Sequence, residues 1–199
     1  MTLGVVLAAG RSSRMGTAKA ALPFEGSTVV QAVVSKLYEG GCDVVRVVLG
    51  HHADVVAPLL LHSRAEIVLN HEPDRGMISS VRTGVRSEET VVARWLVHPV
   101  DIPFFRPDTV RELLAASRKA PDDVLVACCG GRRGHPILIP RGPALRVLEA
   151  AERLSDLLRH EDVTVGEVET GDPGVLRDID TPEDVGQPPG TVSGDAAER

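Results

Sequence analysis

Cysteine is scarce in this chain and odd in number: Cys42, Cys128 and Cys129 are the only three among 199 residues. That excludes a disulfide framework, and no histidine pair stands at the spacing that would complete a zinc site with them. Cys128 and Cys129 close an apolar run, where neighbouring side chains face opposite ways, so both are expected to be reduced packing residues. No apolar stretch reaches the roughly 20 residues that span a bilayer, which argues against a membrane protein. The N-terminus runs into an apolar strand without the segments of a signal peptide, and a cytoplasmic location is expected. Two phosphate motifs are missing: neither the Walker loop nor G-x-G-x-x-G is written, and the second absence lowers a nicotinamide-dependent oxidoreductase. A Gly-x-Ser-x-Gly nucleophile elbow is missing too. Positive charge is in deficit overall, with a formal net charge of −6, so nucleic acid is not an expected partner.

Against that acidic background one segment has no acid at all. No Asp or Glu precedes Glu25, while Arg11, Arg14 and Lys19 all fall in that stretch. The apolar run Leu3 to Leu7 reads as a central strand, and Gly10 and Gly16 let the loop after it turn its backbone N–H groups toward an anion. Strand, glycine loop and three cations together read as a cradle for a triphosphate. Ser12 and Ser13 are assigned to phosphate or turn hydrogen bonds.

The remaining pattern alternates. Strands are expected at 3–8, 44–49, 66–69, 95–100 and 123–128, with helices at 28–38, 53–61, 76–86 and 107–118 between them. Thr28 is a helix-start residue and Gly40-Gly41 a stop. Such alternation predicts an α/β fold with a mostly parallel sheet covered on both faces, a three-layer α/β/α arrangement. After residue 129 the pattern changes, and Gly130 to Gly134 read as a turn leading into 137–139, a β-excursion placed to cap the site. Helices at 142–151 and 153–160, a strand near 163–168 and a short helix from Thr181 complete the chain. With 43% hydrophobic residues, one domain is expected over 1–185, followed by a disordered tail at 186–199.

Ligands of open α/β sheets bind at the carboxyl ends of the strands, and the charged motifs fall there. Asp101 follows the apolar run Leu96 to Val100. Beside a phosphate loop it is the expected ligand for Mg²⁺, which takes one or two protein carboxylates and fills its shell with water and phosphate oxygens. A second carboxylate is expected from Asp178-Ile-Asp180, where alternation puts both aspartates on one face and leaves the choice open. Metal, Arg14 and Lys19 would then hold the phosphates of a nucleoside triphosphate for attack by a phosphorylated acceptor, with no side-chain nucleophile.

The stretch Leu7-Ala-Ala-Gly-Arg-Ser-Ser-Arg-Met-Gly-Thr-Ala-Lys19 resembles the signature L-A-A-G-x-S-x-R-M-G-x-x-K of the MobA-like nucleotidyltransferases, which include the molybdenum cofactor cytidylyl- and guanylyltransferases. Gly76-Met-Ile-Ser-Ser-Val-Arg-Thr-Gly84, His98-Pro-Val-Asp-Ile-Pro103, Gly131-Arg-Arg-Gly-His-Pro136 and Asp178-Ile-Asp-Thr-Pro-Glu-Asp184 follow in family order. The resemblance implies the nucleotide-diphospho-sugar transferase (Rossmann-like) fold and transfer of a nucleotide to molybdopterin with release of pyrophosphate. It assigns Arg14, Lys19 and Asp101 to catalysis and favours Asp180 over Asp178 as the second metal ligand. Leu7, Ala8, Ala9, Gly10, Arg11, Ser12, Ser79 and Ser80 would bind the nucleotide. Arg82, Arg132, Arg133 and His135 would bind the acceptor, with the two adjacent arginines on a flexible basic lid. Ala9 and Gly76-Met-Ile-Ser-Ser80 are similar to the cytidylyl branch, where the guanylyl enzymes carry Leu-Ala-Gly-Gly and Gly-Pro-Leu-Ala-Gly; CTP is therefore the expected donor. An apo-molybdoenzyme or its maturation chaperone would receive the product. The competing expectations are a guanylyltransferase, a transferase for another phosphorylated small molecule, a non-catalytic cofactor-delivery protein and a nicotinamide-dependent oxidoreductase.

Overall fold

The computed structural model describes residues 1–11, 18–85 and 91–186. In chain order its elements are β1 (Thr2–Ala8), the two-residue strands β2 (Pro23–Phe24) and β3 (Ser27–Thr28), α1 (Val29–Gly40), β4 (Val44–Leu49), α2 (Ala53–Val56), β5 (Glu66–Leu69), α3 (Met77–Gly84), β6 (Arg94–Pro99), α4 (Pro107–Ala116), β7 (Val124–Cys129), β8 (Arg132–Pro140), α5 (Pro143–Ala150), α6 (Leu154–Leu157) and β9 (Val165–Glu169). Seven strands form one sheet in the order β5-β4-β1-β6-β8-β7-β9. All neighbours pair in parallel except β8, which runs antiparallel to both β6 and β7.

Both faces of the sheet are covered, and strand alternation divides the core in two. Val6 and Ala8 of β1 join Val29, Val33 and Leu37 of α1 and Val110 and Leu113 of α4 on one face. Leu3, Val5 and Leu7 join Ile78 and Val81 of α3 and Leu145 and Leu148 of α5 on the other. Period-two patterning on a strand fed by apolar stripes on the helices produces this two-sided burial. Gly84 is required by the packing, because a side chain there would meet Val5 and Val48.

The helix signals at α1 act as expected. Thr28 opens it with a capping box, its backbone N–H donating to Gln31 Oε1 at 3.1 Å, and Gly41 closes it at φ 107°. The helix expected at 53–61 is divided: α2 stops at Val56 and a 3₁₀ turn runs from Ala57 to Leu60, since Pro58 has no N–H to continue the ladder. The small β2–β3 hairpin, turned by Glu25 and Gly26 at positive φ, carried no apolar alternation that would have announced it. The segment after residue 129 corrects the expectation of an excursion over the site. β8 is an interior strand of the main sheet, wedged between β6 and β7, because Ile137, Leu138 and Ile139 are all buried and need neighbours on both sides. The tail from 187 onward lies outside the described residues, as does Ser12 to Thr17 of the first loop.

Candidate active site

Parallel pairing puts the C-terminal ends of β4, β1 and β6 side by side, and the loops leaving them meet. The Val100 N–H donates to Leu7 O at 3.0 Å, and the His51 N–H to Ala9 O at 3.4 Å. The close approach of the last two loops depends on Gly50, where a Cβ would stand 2.7 Å from Ala9 O. Between these loops and the start of α3 lies a cleft of about 460 Å³. Leu7, Ala8, Ala9 and Gly10 of the first strand and loop line it, with Pro73, Gly76, Met77 and Ser80 from the start of α3, His52 from the loop after β4, and a charged wall of Lys19, Asp101 and Asp180.

The charged wall is assembled from three distant segments. Lys19 opens a 3₁₀ turn after the first loop, Asp101 follows β6, and Asp180 returns from the far end of the chain. Ile179 anchors that return: its side chain is fully buried and its N–H donates to Asp101 O at 2.7 Å. Lys19 Nζ then lies 3.4 Å from Asp101 Oδ2 and 3.2 Å from Asp180 Oδ1. Asp180 and Asp178 share the exposed face as alternation requires, but only Asp180 lines the cleft. Burial, followed by the negative charges of Asp180 and Asp101, holds the Asp178 carboxyl above its ordinary range. Asp184 fixes the turn, its Oδ2 accepting from the N–H groups of Asp180 at 2.9 Å and Thr181 at 2.7 Å. The sequence offers one local signal for this turn, the position of Asp184 four residues after Asp180.

At the mouth, Arg11 does not point inward. Its Nε and Nη2 donate to the two carboxylate oxygens of Asp74 at 2.8 and 2.6 Å. His51 Nε2 sits 2.8 Å from Asp74 Oδ1, and His52 Nε2 lies 2.8 Å from Arg11 O. Arg11 and His51 together hold the Asp74 carboxyl down to about 2. Asp74, His51 and His52 were missed as site residues, because nothing in sequence brings three separate loops to one point.

The acceptor-side expectations fall elsewhere. Arg82 turns away from the cleft and donates to Leu148 O at 3.1 Å and to Ala151 O, satisfying carbonyls at the end of α5. Arg132 and Arg133 begin β8 and do not line the cleft. Arg133 pairs with Glu167 at 2.7 Å, and Glu169 accepts from the N–H groups of Gly130 and Gly131 at 3.0 and 3.1 Å, so this turn is tied to β9 at three points. His135 packs edge-on to His98 with ring centroids 6.3 Å apart, outside the cleft lining. Burial takes its pKa down to about 4, and burial together with His135 takes that of His98 to about 3. His98 Nε2 lies 2.8 Å from Ile102 O, beside Asp101. Arg14 and Ser12 lie outside the described residues.

A glycine loop after β1, Asp101 after β6 and Asp180 after β9 meet in a cleft at the strand ends, and residues 4–165 match the MobA-like NTP transferase domain. The chain belongs to this family. It is an enzyme of the nucleotidyltransferase class, with the nucleotide-diphospho-sugar transferase fold. Over 193 residues it is 34% identical to the nicotine blue oxidoreductase of Paenarthrobacter nicotinovorans, covering 90% of this chain and 92% of that protein. Over 189 residues it is 29% identical to the molybdenum cofactor cytidylyltransferase of Escherichia coli K12, covering 90% and 91%. Among solved structures, Rv0371c of Mycobacterium tuberculosis H37Rv superposes with a TM-score of 0.77 at 26% identity, covering 92% of this family member and 94% of Rv0371c. A nucleotidyl transferase of Methanothermobacter gives a TM-score of 0.76 at 25% identity over the same shares.

Proposed function

We propose that the chain transfers CMP from CTP to the terminal phosphate of molybdopterin, releasing pyrophosphate. One observation carries this reading: Lys19 stands between the Asp101 and Asp180 carboxylates in a cleft whose remaining lining, His52 apart, carries no ionisable side chain. A triphosphate belongs with the cation and the base with the uncharged lining. The likeness to the Escherichia coli cytidylyltransferase supports the donor and the acceptor.

The donor set also fits Mg²⁺. Two carboxylates from separate segments converge on a single cation position and leave room for water and phosphate oxygens, the shell this ion prefers. Asp101 and Asp180 would hold the metal, with Asp178 as the alternate, and it would supply charge neutralisation at the leaving pyrophosphate. The chain's own groups do the positioning. Lys19, with Arg14 of the first loop, holds the phosphate oxygens; Leu7 to Gly10, with Ser12 beyond them, carry the nucleotide; Ser80 faces the base, while Ser79 lies outside the cleft lining and Arg11 is held by Asp74 at the mouth. An acceptor phosphate oxygen attacks the α-phosphorus, the bond to the β-phosphate bridging oxygen breaks, and that oxygen leaves with pyrophosphate. The acceptor phosphate is ionised near neutral pH, so no general base is needed. Arg132, Arg133 and His135 stay as acceptor contacts only if the pterin reaches past the cleft to β8. An apo-molybdoenzyme or its chaperone is the recipient this product would serve.

The test is pyrophosphate release with each of the four NTPs, with and without molybdopterin. Release with CTP that depends on molybdopterin supports the reading; release with GTP alone replaces cytidylyl by guanylyl transfer. A second reading, an oxidoreductase, draws on the likeness to the nicotine blue oxidoreductase. Oxidation of reduced nicotinamide without pyrophosphate release would favour it.

A further inference from the structure

Beside the start of α3, the hydrogen bonds decide which hydroxyl keeps a proton free for the cleft. Asn70 follows β5 and is buried, with its backbone N–H donating to Leu49 O at 2.8 Å. Its side-chain Oδ1 accepts from the Glu72 N–H at 2.9 Å, which settles the orientation of the amide: the opposite flip would set two donors against each other. Nδ2 therefore donates both its protons, one to Ser79 Oγ at 2.9 Å and one to Ser80 Oγ at 3.0 Å. Ser79 passes its own proton to Glu72 O and Gly76 O, at 2.9 and 2.8 Å. Ser80 has no such outlet. Among the described residues its hydroxyl meets Asn70 alone, it is 5% exposed, and it lines the cleft. Asn70 occupies one of the two lone pairs on the Ser80 oxygen without using the hydroxyl proton, which stays available to an acceptor in the cleft.

We infer that Asn70 is a positioning residue for nucleobase choice: it makes Ser80 a hydrogen-bond donor to the N3 atom of cytosine. The inference rests on the nucleotide reading above. N3 is an acceptor in cytosine and an N–H donor in uracil, two bases of nearly the same size. A pocket of fixed shape cannot separate them by clash, whereas a hydroxyl whose proton is kept free for the cleft donates to cytosine N3 and meets the uracil N3–H only through its one remaining lone pair. Asn70 touches no ligand and acts only through Ser80.

Asn70→Asp tests this without removing volume. An aspartate still accepts the Glu72 N–H but has no proton to give, so Ser80 turns to donate to it and presents a lone pair to the cleft. CTP and UTP carry the same charge, so the added carboxylate weakens both alike and leaves their ratio to report polarity alone. Binding of CTP and UTP would be measured by calorimetry, without acceptor, for the wild type, N70D, S80A and the double variant, with thermal melting as the fold control. The CTP-to-UTP affinity ratio is expected to fall about tenfold in N70D and in S80A, the scale of one neutral hydrogen bond. In the double variant it should fall no further than in S80A, because Asn70 works through Ser80. An unchanged ratio in N70D, or an N70D effect that persists without the Ser80 hydroxyl, overturns the assignment. If the wild type prefers GTP, the cytidylyl reading fails and the Asn70 assignment fails with it, because a donating Ser80 would face the N1–H donor of guanine; a CTP preference with an unchanged ratio in N70D overturns the Asn70 assignment alone.

Discussion

At the scale of single residues, charge placement and burial each make a prediction. Lys19 meets two carboxylates at one wall of the cleft, and the proposed chemistry uses all three. Lys19→Ala should lower kcat/KM for every NTP by about 10²-fold or more, the scale for removing one charged contact to a developing anion, with no change in base preference. A loss confined to one NTP would show that Lys19 is not a phosphate contact. Asp101→Asn should abolish turnover while changing the melting temperature little, since the side chain is only half-buried at a strand end and asparagine keeps its volume; retained magnesium-dependent turnover would remove Asp101 from the metal site. His98 makes a prediction about stability. It is fully buried, and its pKa falls from 6.5 to about 3 in the fold, chiefly by burial. The unfolded chain therefore binds the proton that the folded chain refuses. The contribution of neutral His98 is complete above pH 6.5 and is lost progressively as pH falls toward the folded value. Urea midpoints at pH 7 and pH 5 should differ less in His98→Gln than in the wild type; an equal drop would place the acid sensitivity elsewhere.

At the scale of elements, the mouth of the cleft is closed by a contact between loops. Asp74, on the 3₁₀ turn Pro73–Arg75, takes Arg11 from the loop after β1 and His51 from the loop after β4. The depressed Asp74 pKa, about 2 against an ordinary 3.8, means that this contact is present above the ordinary value and is lost only as pH falls through the folded one. All the partners are at the surface, so salt screens the pair and its effect on global stability is small. Asp74→Asn should leave the melting temperature nearly unchanged and speed amide exchange in residues 9–11 and 74–76. Unaltered exchange would mean that the pair does not join these loops. This contact was invisible in sequence, since Arg11 and Asp74 are separated by 63 positions and neither belongs to a pattern that names the other. The helices α1 and α4, in contrast, were legible to within two or three residues, because a cap, a proline or a glycine marks their ends locally.

At the scale of the whole molecule, two cores on the faces of one sheet hold the site. Leu96 of β6 is fully buried in the core that carries α1 and α4, five residues before Asp101. Leu96→Ala should cost about 2–5 kcal/mol in denaturant unfolding, the range for a buried leucine that leaves a cavity; a cost well below that would show that the sheet closes over the gap. The amino-acid sequence by itself determined the α/β class, the first five main-sheet strands in chain order, the glycine loop with its cations and the two acidic segments. Each of these is written within a dozen residues, in periodicity, breakers or a contiguous motif. Only the tertiary structure decided that β8 lies inside the sheet, that Arg82 donates to the carbonyls at the end of α5, that Asp180 and not Asp178 meets Lys19, and that Asn70 donates to Ser80. Those outcomes depend on which distant segments share a neighbour, and hydrogen-bond partners and burial are properties of that assembly, with no counterpart in local spacing.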